Sequence, residues 1–153
     1  MYRVVNEACS TFKEGFSCSQ AVFSALGESF GLDRDTALKI SQPFGGGIAY
    51  MGETCGAVTG AFMVIGLQYG RTKAEDSEAK AKTYATVHEF VKRFKAEHHS
   101  IVCREILGYD VSDKTDFKMA LENKVFETVC PLLVRTAAEI CVELLPEFKN
   151  TEP

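Results

Sequence analysis

Apolar positions recur along this chain at helical rather than strand spacing. Residues 2 to 14 carry Val4, Val5, Ala8, Cys9 and Phe12 on one stripe, and Gly15 supplies a stop, so the segment predicts a first amphipathic helix. A second stripe, Cys18, Ala21, Val22, Ala25, Leu26 and Ser29, runs to Gly31, and Asp33 is placed to cap a short third helix through Ile40. Gln42-Pro43-Phe44-Gly45-Gly46-Gly47 reads as a loop, because proline removes a donor and each glycine costs about 1 kcal/mol inside a helix. A helix is expected from Thr54 to Tyr69, ended by Gly70-Arg71-Thr72. Between Lys73 and His99 a 3-4-3-4 stripe of Tyr84, Val87, Val91, Phe94 and His98 predicts the longest helix. Turn residues from Gly108 to Asp113 then lead to helices over Asp116 to Thr128 and Pro131 to Leu145. The pattern contains no strand, repeat or low-complexity tract. It predicts an all-α fold, an irregular bundle of about six or seven helices.

At 153 residues and 46% hydrophobic, the chain suits one helical domain over residues 1–153. A formal charge of −4 offers no basic field for a phosphate backbone, so nucleic acid is not an expected partner. The start, Met1 to Glu7, has no long apolar segment, which argues against export and for the cytoplasm. The longest apolar stretch, Ala57 to Tyr69, falls well short of the roughly twenty residues a membrane span requires. Cytosolic thiols are normally kept reduced, so any disulfide among the six cysteines is expected to be transient.

Four of those cysteines sit where helices should begin. Ser17-Cys18-Ser19-Gln20 has the S-x-x-Q form of a capping box, with Ser17 as the cap and Cys18 as the first helical residue. Thr54 precedes Cys55 in the same way. In Cys130-Pro131 the proline suits the first helical position and makes Cys130 the cap, while Ser100 is placed to cap a short helix carrying Cys103. A helix N-terminus holds roughly half a positive charge, which favours thiolate over thiol. Cys55, with flexible glycine on its approach side, reads as the most activated thiolate, and Cys18, Cys103 and Cys130 as resolving thiols or co-ligands. Cys9 and Cys141 lie mid-helix on apolar stripes and read as packing residues.

The same residues carry a family resemblance. Cys18, the run Cys55-Gly56-Ala57-Val58-Thr59-Gly60, Cys103 and Cys130 resemble the redox-active family named C_GCAxxG_C_C after its four cysteines. The label reads Gly-Cys-Ala where this chain reads Cys-Gly-Ala. The resemblance spans roughly Gly15 to Pro131 and implies a small, all-helical prokaryotic protein with a redox role, a class rather than a particular reaction.

The chain has no C-x-x-C pair, so a zinc ribbon, a thioredoxin-type dithiol or a ferredoxin run is excluded, and any site must be assembled by tertiary folding. Four thiolates at helix starts are compatible with zinc, with an iron–sulfur cluster, or with two pairs cycling between dithiol and disulfide. A redox partner of unspecified identity and a homo-oligomer both stay open. Gly45, Gly46 and Gly47 offer a candidate cofactor nest beside Gly56 at the Cys55 helix start, against the plainer reading of a flexible turn. Gly52, Gly56 and Gly60 fall four apart and offer a strip for close backbone approach, which suggests a third reading, an interaction module with inert buried cysteines. His98 continues the long helix's stripe as a candidate ligand or, more simply, a structural histidine. His88, His99, Arg104 and Arg135 read as surface groups and Glu53 as a carboxylate suited to the helix dipole.

Overall fold

A computed structural model describes residues 2–149; Met1, Asn150, Thr151, Glu152 and Pro153, the ends of the expected 1–153 domain, lie outside the described residues. Among the described residues the fold is all-α, with seven helices of eight residues or more: α1 (Tyr2–Lys13), α2 (Cys18–Gly27), α3 (Arg34–Ser41), α4 (Gly56–Tyr69), α5 (Ser77–His98), α6 (Lys114–Glu122) and α7 (Cys130–Leu144). Single turns of helix fill several connections. None of the described helices is long and apolar enough to cross a membrane.

Helix α2 is the hub because its sequence leaves no polar face: every residue from Ser19 to Gly27 is buried. Its N-terminus is closed by the expected capping box, Gln20 N donating to Ser17 Oγ at 3.4 Å and Ser17 N to Gln20 Oε1 at 3.1 Å. Of its three buried polar side chains, two are satisfied across the helix pair α2–α3, Ser19 Oγ donating to Ser41 O (2.8 Å) and Gln20 Nε2 to Leu38 O (3.1 Å), while Ser24 Oγ finds no partner among the described residues. Helix α3 starts where Asp33 accepts the Thr36 N–H at 2.9 Å. Helix α4 is apolar all round and lies in the core.

The glycine strip packs α4 onto α2 of the same chain, rather than onto a partner helix. A Cβ on Gly56 would come within 3.0 Å of Ser19 N, and one on Gly60 within 3.0 Å of Ser19 O. Gly52 lies outside the helix and takes no part in that strip.

Two other elements differ from expectation. On α5 the inward residues are Thr86, Phe90 and Phe94, while Tyr84 is exposed and Val87 and Val91 only flank the core. Phe90 and Phe94 stack at 5.8 Å and Phe62 meets Phe90 edge-on at 5.9 Å, which settles the helix's rotation. The expected helix from Asp116 to Thr128 is interrupted at Lys124, which sits at φ 56°. Residues Val125–Thr128 form a separate turn that runs into α7.

Candidate functional site

The four helix-start cysteines line one cavity of about 570 Å³. Three local arrangements bring them there. The Ser17 capping box sets Cys18 as the first residue of α2. Cys130 is the first residue of α7 with Pro131 second. Val129 stands in the capping position instead of Cys130, because the preceding turn enters α7 with Val129 already helical (φ −97°, ψ −51°). Cys55 and Cys103 are joined by an antiparallel clasp centred on a bridge between Thr54 and Val102. Cys55 N donates to Ile101 O (2.8 Å), Cys103 N to Glu53 O (2.6 Å) and Arg104 N to Gly52 O (3.2 Å). Residues flanking a bridge on both strands project to the same side, so this pairing sends both thiols the same way.

The clasp also corrects two caps. Thr54 is spent on the bridge, so Cys55 itself is the N-cap of α4, at φ −51°, ψ 134°. Val102 holds the capping position of the short helix Cys103–Leu107, and Ser100 supports it indirectly, its hydroxyl accepting the Val102 N–H at 3.0 Å and bonding the Glu105 carboxylate. Arg104 and Glu53 are not idle surface charges: they pair at 3.1 Å across the clasp, and the guanidinium also donates to Gly52 O.

The glycine segment is an ordered left-handed strap. Gly46, Gly47, Ile48, Ala49 and Tyr50 all have φ between 48° and 68°. Its end is tied to the clasp by Gly52 N to Gly46 O (3.3 Å) and Glu53 N to Gly47 O (2.9 Å). Three of these residues carry side chains in a region that costs about 1–2 kcal/mol each, strain that the surrounding hydrogen bonds hold in place. Gly46, Gly47 and Gly56 line the cavity. Gly45 instead presses on the α2 cap, where a Cβ would lie 2.6 Å from Ser17 Cβ.

The remaining wall is apolar and aromatic, including Phe12, Phe16, Leu107, Phe126 and Leu133, with Tyr50, Gln20, Gln42 and Ser17 as its hydroxyl and amide groups. Most of these went unread as site residues because their stripes look like ordinary core. Phe16, directly beside the Ser17-Cys18 cap, is the one whose neighbourhood carried a signal.

Electrostatics separate the four thiols. Cys18 is held well above the ordinary thiol range, first by its hydrogen bond with the Cys130 side chain and then by burial. Cys130 moves down, first through the same bond and also through its own backbone N–H, against the opposing effect of burial. The shared contact therefore favours keeping the proton on Cys18 and makes Cys130 the more readily ionised of the two. Burial pushes Cys55 up to about 11, although the N–H groups of Ala57 and Val58 pull the other way. Burial also pushes Cys103 up to about 12, aided by Cys55 and Cys130 and opposed by Arg104. Of the four, Cys130 alone is shifted down, whereas Cys55, which the sequence favours as the most activated thiolate, is shifted up by burial. At Cys55 the two N–H groups at the helix start do not offset full burial.

Other candidates stand apart. Cys141 is fully buried in the core and Cys9 half-buried on α1. His98 is structural, bonding Thr136 Oγ1 at 2.9 Å and packing on Phe94, and burial lowers its pKa. His88 and His99 are exposed, and Arg135 pairs with Glu139 at 3.7 Å. Among the described residues, no three His, Cys, Asp or Glu side chains are grouped as ligands to one metal ion.

Fold and site together define an all-α protein in which four free thiols from distant parts of the chain line one cavity. The chain belongs to the family described as "Putative redox-active protein (C_GCAxxG_C_C)", whose model matches residues 16–144 and so includes all four of these cysteines. Comparisons with curated proteins and with solved structures give no match.

Proposed function

We propose that this protein carries out thiol–disulfide exchange, with Cys130 as the attacking thiolate and Cys18 as the resolving thiol. The observation that carries the reading is that four free thiols line one cavity, where Cys18 and Cys130 come close enough for each to shift the other's ionisation. Cys130 attacks one sulfur of a substrate disulfide and expels the other as a thiolate, which takes up a proton. Cys18 then gives up its proton and attacks Cys130 Sγ, expelling the second substrate sulfur. Two thiols of the protein become one disulfide, and one disulfide of the substrate becomes two thiols, a transfer of two electrons and two protons. Cys55 and Cys103, set diagonally on one face of the clasp and kept protonated by burial, would serve as a second dithiol that passes electrons to the first by the same exchange.

Alkylation kinetics test the assignment. With iodoacetamide and peptide-resolved mass spectrometry, Cys130 is expected to be modified first among the four, its rate rising with an apparent pKa below the ordinary value of about 8.5. Replacing Cys18 by alanine removes the donor, so the Cys130 profile should move to higher pH. A Cys130 rate that first rises above that ordinary range, or one unaffected by the Cys18 replacement, contradicts the pairing.

A further inference from the structure

The cavity wall speaks to what the thiols act on, and the inference rests on the exchange chemistry just proposed. Among the described residues that line the cavity, none is Asp, Glu, Lys, Arg or His. Its volume of about 570 Å³ lies within the roughly 300–1,000 Å³ of small-molecule sites. Leu107 and Leu133 are buried, and Phe12, Phe16 and Phe126 half-buried, so the wall offers ring and methyl surface. Gln42 and Tyr50 are exposed as well as lining it, which places them at its mouth. Gln42 Oε1 is already taken by Gln20 Nε2 at 2.9 Å, leaving the Gln42 amino group as a neutral donor there.

A substrate entering this space leaves water. An anion would find no cationic side chain in the wall and would face the readily ionised Cys130 sulfur, whereas a cation would find no carboxylate in the wall, and an unpaired charge is strongly penalised on desolvation. We infer that the substrate of this site is an uncharged small-molecule disulfide with an aromatic or aliphatic body. Charged peptide-like disulfides are selected against by the same wall. Cys130 and Cys18 reduce the neutral disulfide to two neutral thiols, with the electron and proton balance given above.

The test uses the reduced full chain and three disulfide probes: neutral dithiodipyridine, dianionic dithiobis(nitrobenzoate) and dicationic cystamine. Each rate of thiol release is divided by that probe's rate with a small free thiol, which removes its intrinsic reactivity. The contribution of Cys130 is the difference from Cys130→Ser. The neutral probe is expected to exceed both charged probes by about 100-fold on this scale, since each charged probe must be desolvated without a partner. Gln42→Lys, a change at the exposed mouth, should raise the dianion's normalised rate by about tenfold through a new charge nearby.

If cystamine is fastest, the net charge of the chain steers reactivity and the wall does not, which overturns the inference. A dianion that keeps pace with the neutral probe overturns it too, and in both cases the exchange chemistry survives. If none of the three probes gives a Cys130-dependent release, the exchange reading itself fails.

Discussion

Replacing Cys130 by serine is expected to slow disulfide reduction by at least about 1,000-fold, because a serine hydroxyl is a far weaker acid and nucleophile than a thiol whose pKa its neighbour Cys18 lowers. The size of the loss follows from how the four sulfurs differ. Cys55 and Cys103 are pushed up to about 11 and about 12 by burial, so neither supplies much thiolate to substitute for Cys130. Cys18 is held well above the ordinary range by the bond that lowers its neighbour. The companion change, Cys18→Ala, has a different signature: Cys130 can still attack, but the mixed disulfide is not resolved by Cys18. One thiol per protein should then be released instead of two, and the substrate half should remain on Cys130 in the intact-mass spectrum. Cys9→Ser, a change on α1 outside the cavity, is expected to leave both quantities unchanged. A Cys130→Ser protein that retains the rate within about tenfold would move the nucleophile to another sulfur.

The largest expected effect on stability is at Gly47, where alanine should cost about 2–5 kcal/mol, the sum of a left-handed backbone and an overpacked contact. Gly47 sits at φ 68°, and an added Cβ would lie 2.7 Å from both Cys103 Cβ and Glu53 N and 2.9 Å from Gly52 C. Two of those three atoms are backbone and the third begins a side chain fixed by the clasp, so none can swing aside. The substitution strikes the junction between strap and clasp, and should also displace Cys103 from the cavity wall. Gly66 is the control, since it lies within α4 with nothing within 4 Å of where a methyl group would go, and alanine there should stabilise by about 0.5–1 kcal/mol. Urea unfolding reads both. A Gly47→Ala protein within about 0.5 kcal/mol of the original would show that the strap relaxes freely.

What could be read from the sequence was local. Ser17 with Gln20, Asp33 with Thr36, and the glycines at 15 and 31 act within a turn or two of themselves, and each starts or stops a helix where the pattern places it. The clustering of four cysteines at helix starts was legible for the same reason. Their ranking was not, because the acidity of Cys130 depends on Cys18, a residue brought beside it only by the packing of α7 near α2. The clasp was hidden because two bridging residues, Thr54 and Val102, leave no strand period. Likewise a run of glycines announces freedom but not handedness, and Ile48, Ala49 and Tyr50 gave no sign that they would continue the left-handed turn. On α5 the heptad through Tyr84 and Val91 competed with the face through Phe90, and ring packing decided between them.

The mechanism stands or falls on how the cysteines pair, and a disulfide map reads that pairing directly. Reduced protein would be treated with a limiting amount of neutral disulfide, alkylated under acid and digested for mass spectrometry, with zinc, iron and acid-labile sulfide measured on the same preparation. The first bridge formed is expected to join Cys18 to Cys130, with Cys55 to Cys103 following as oxidant is added. A first bridge elsewhere, or stoichiometric metal that blocks oxidation and is lost on replacing Cys130, would contradict the exchange mechanism.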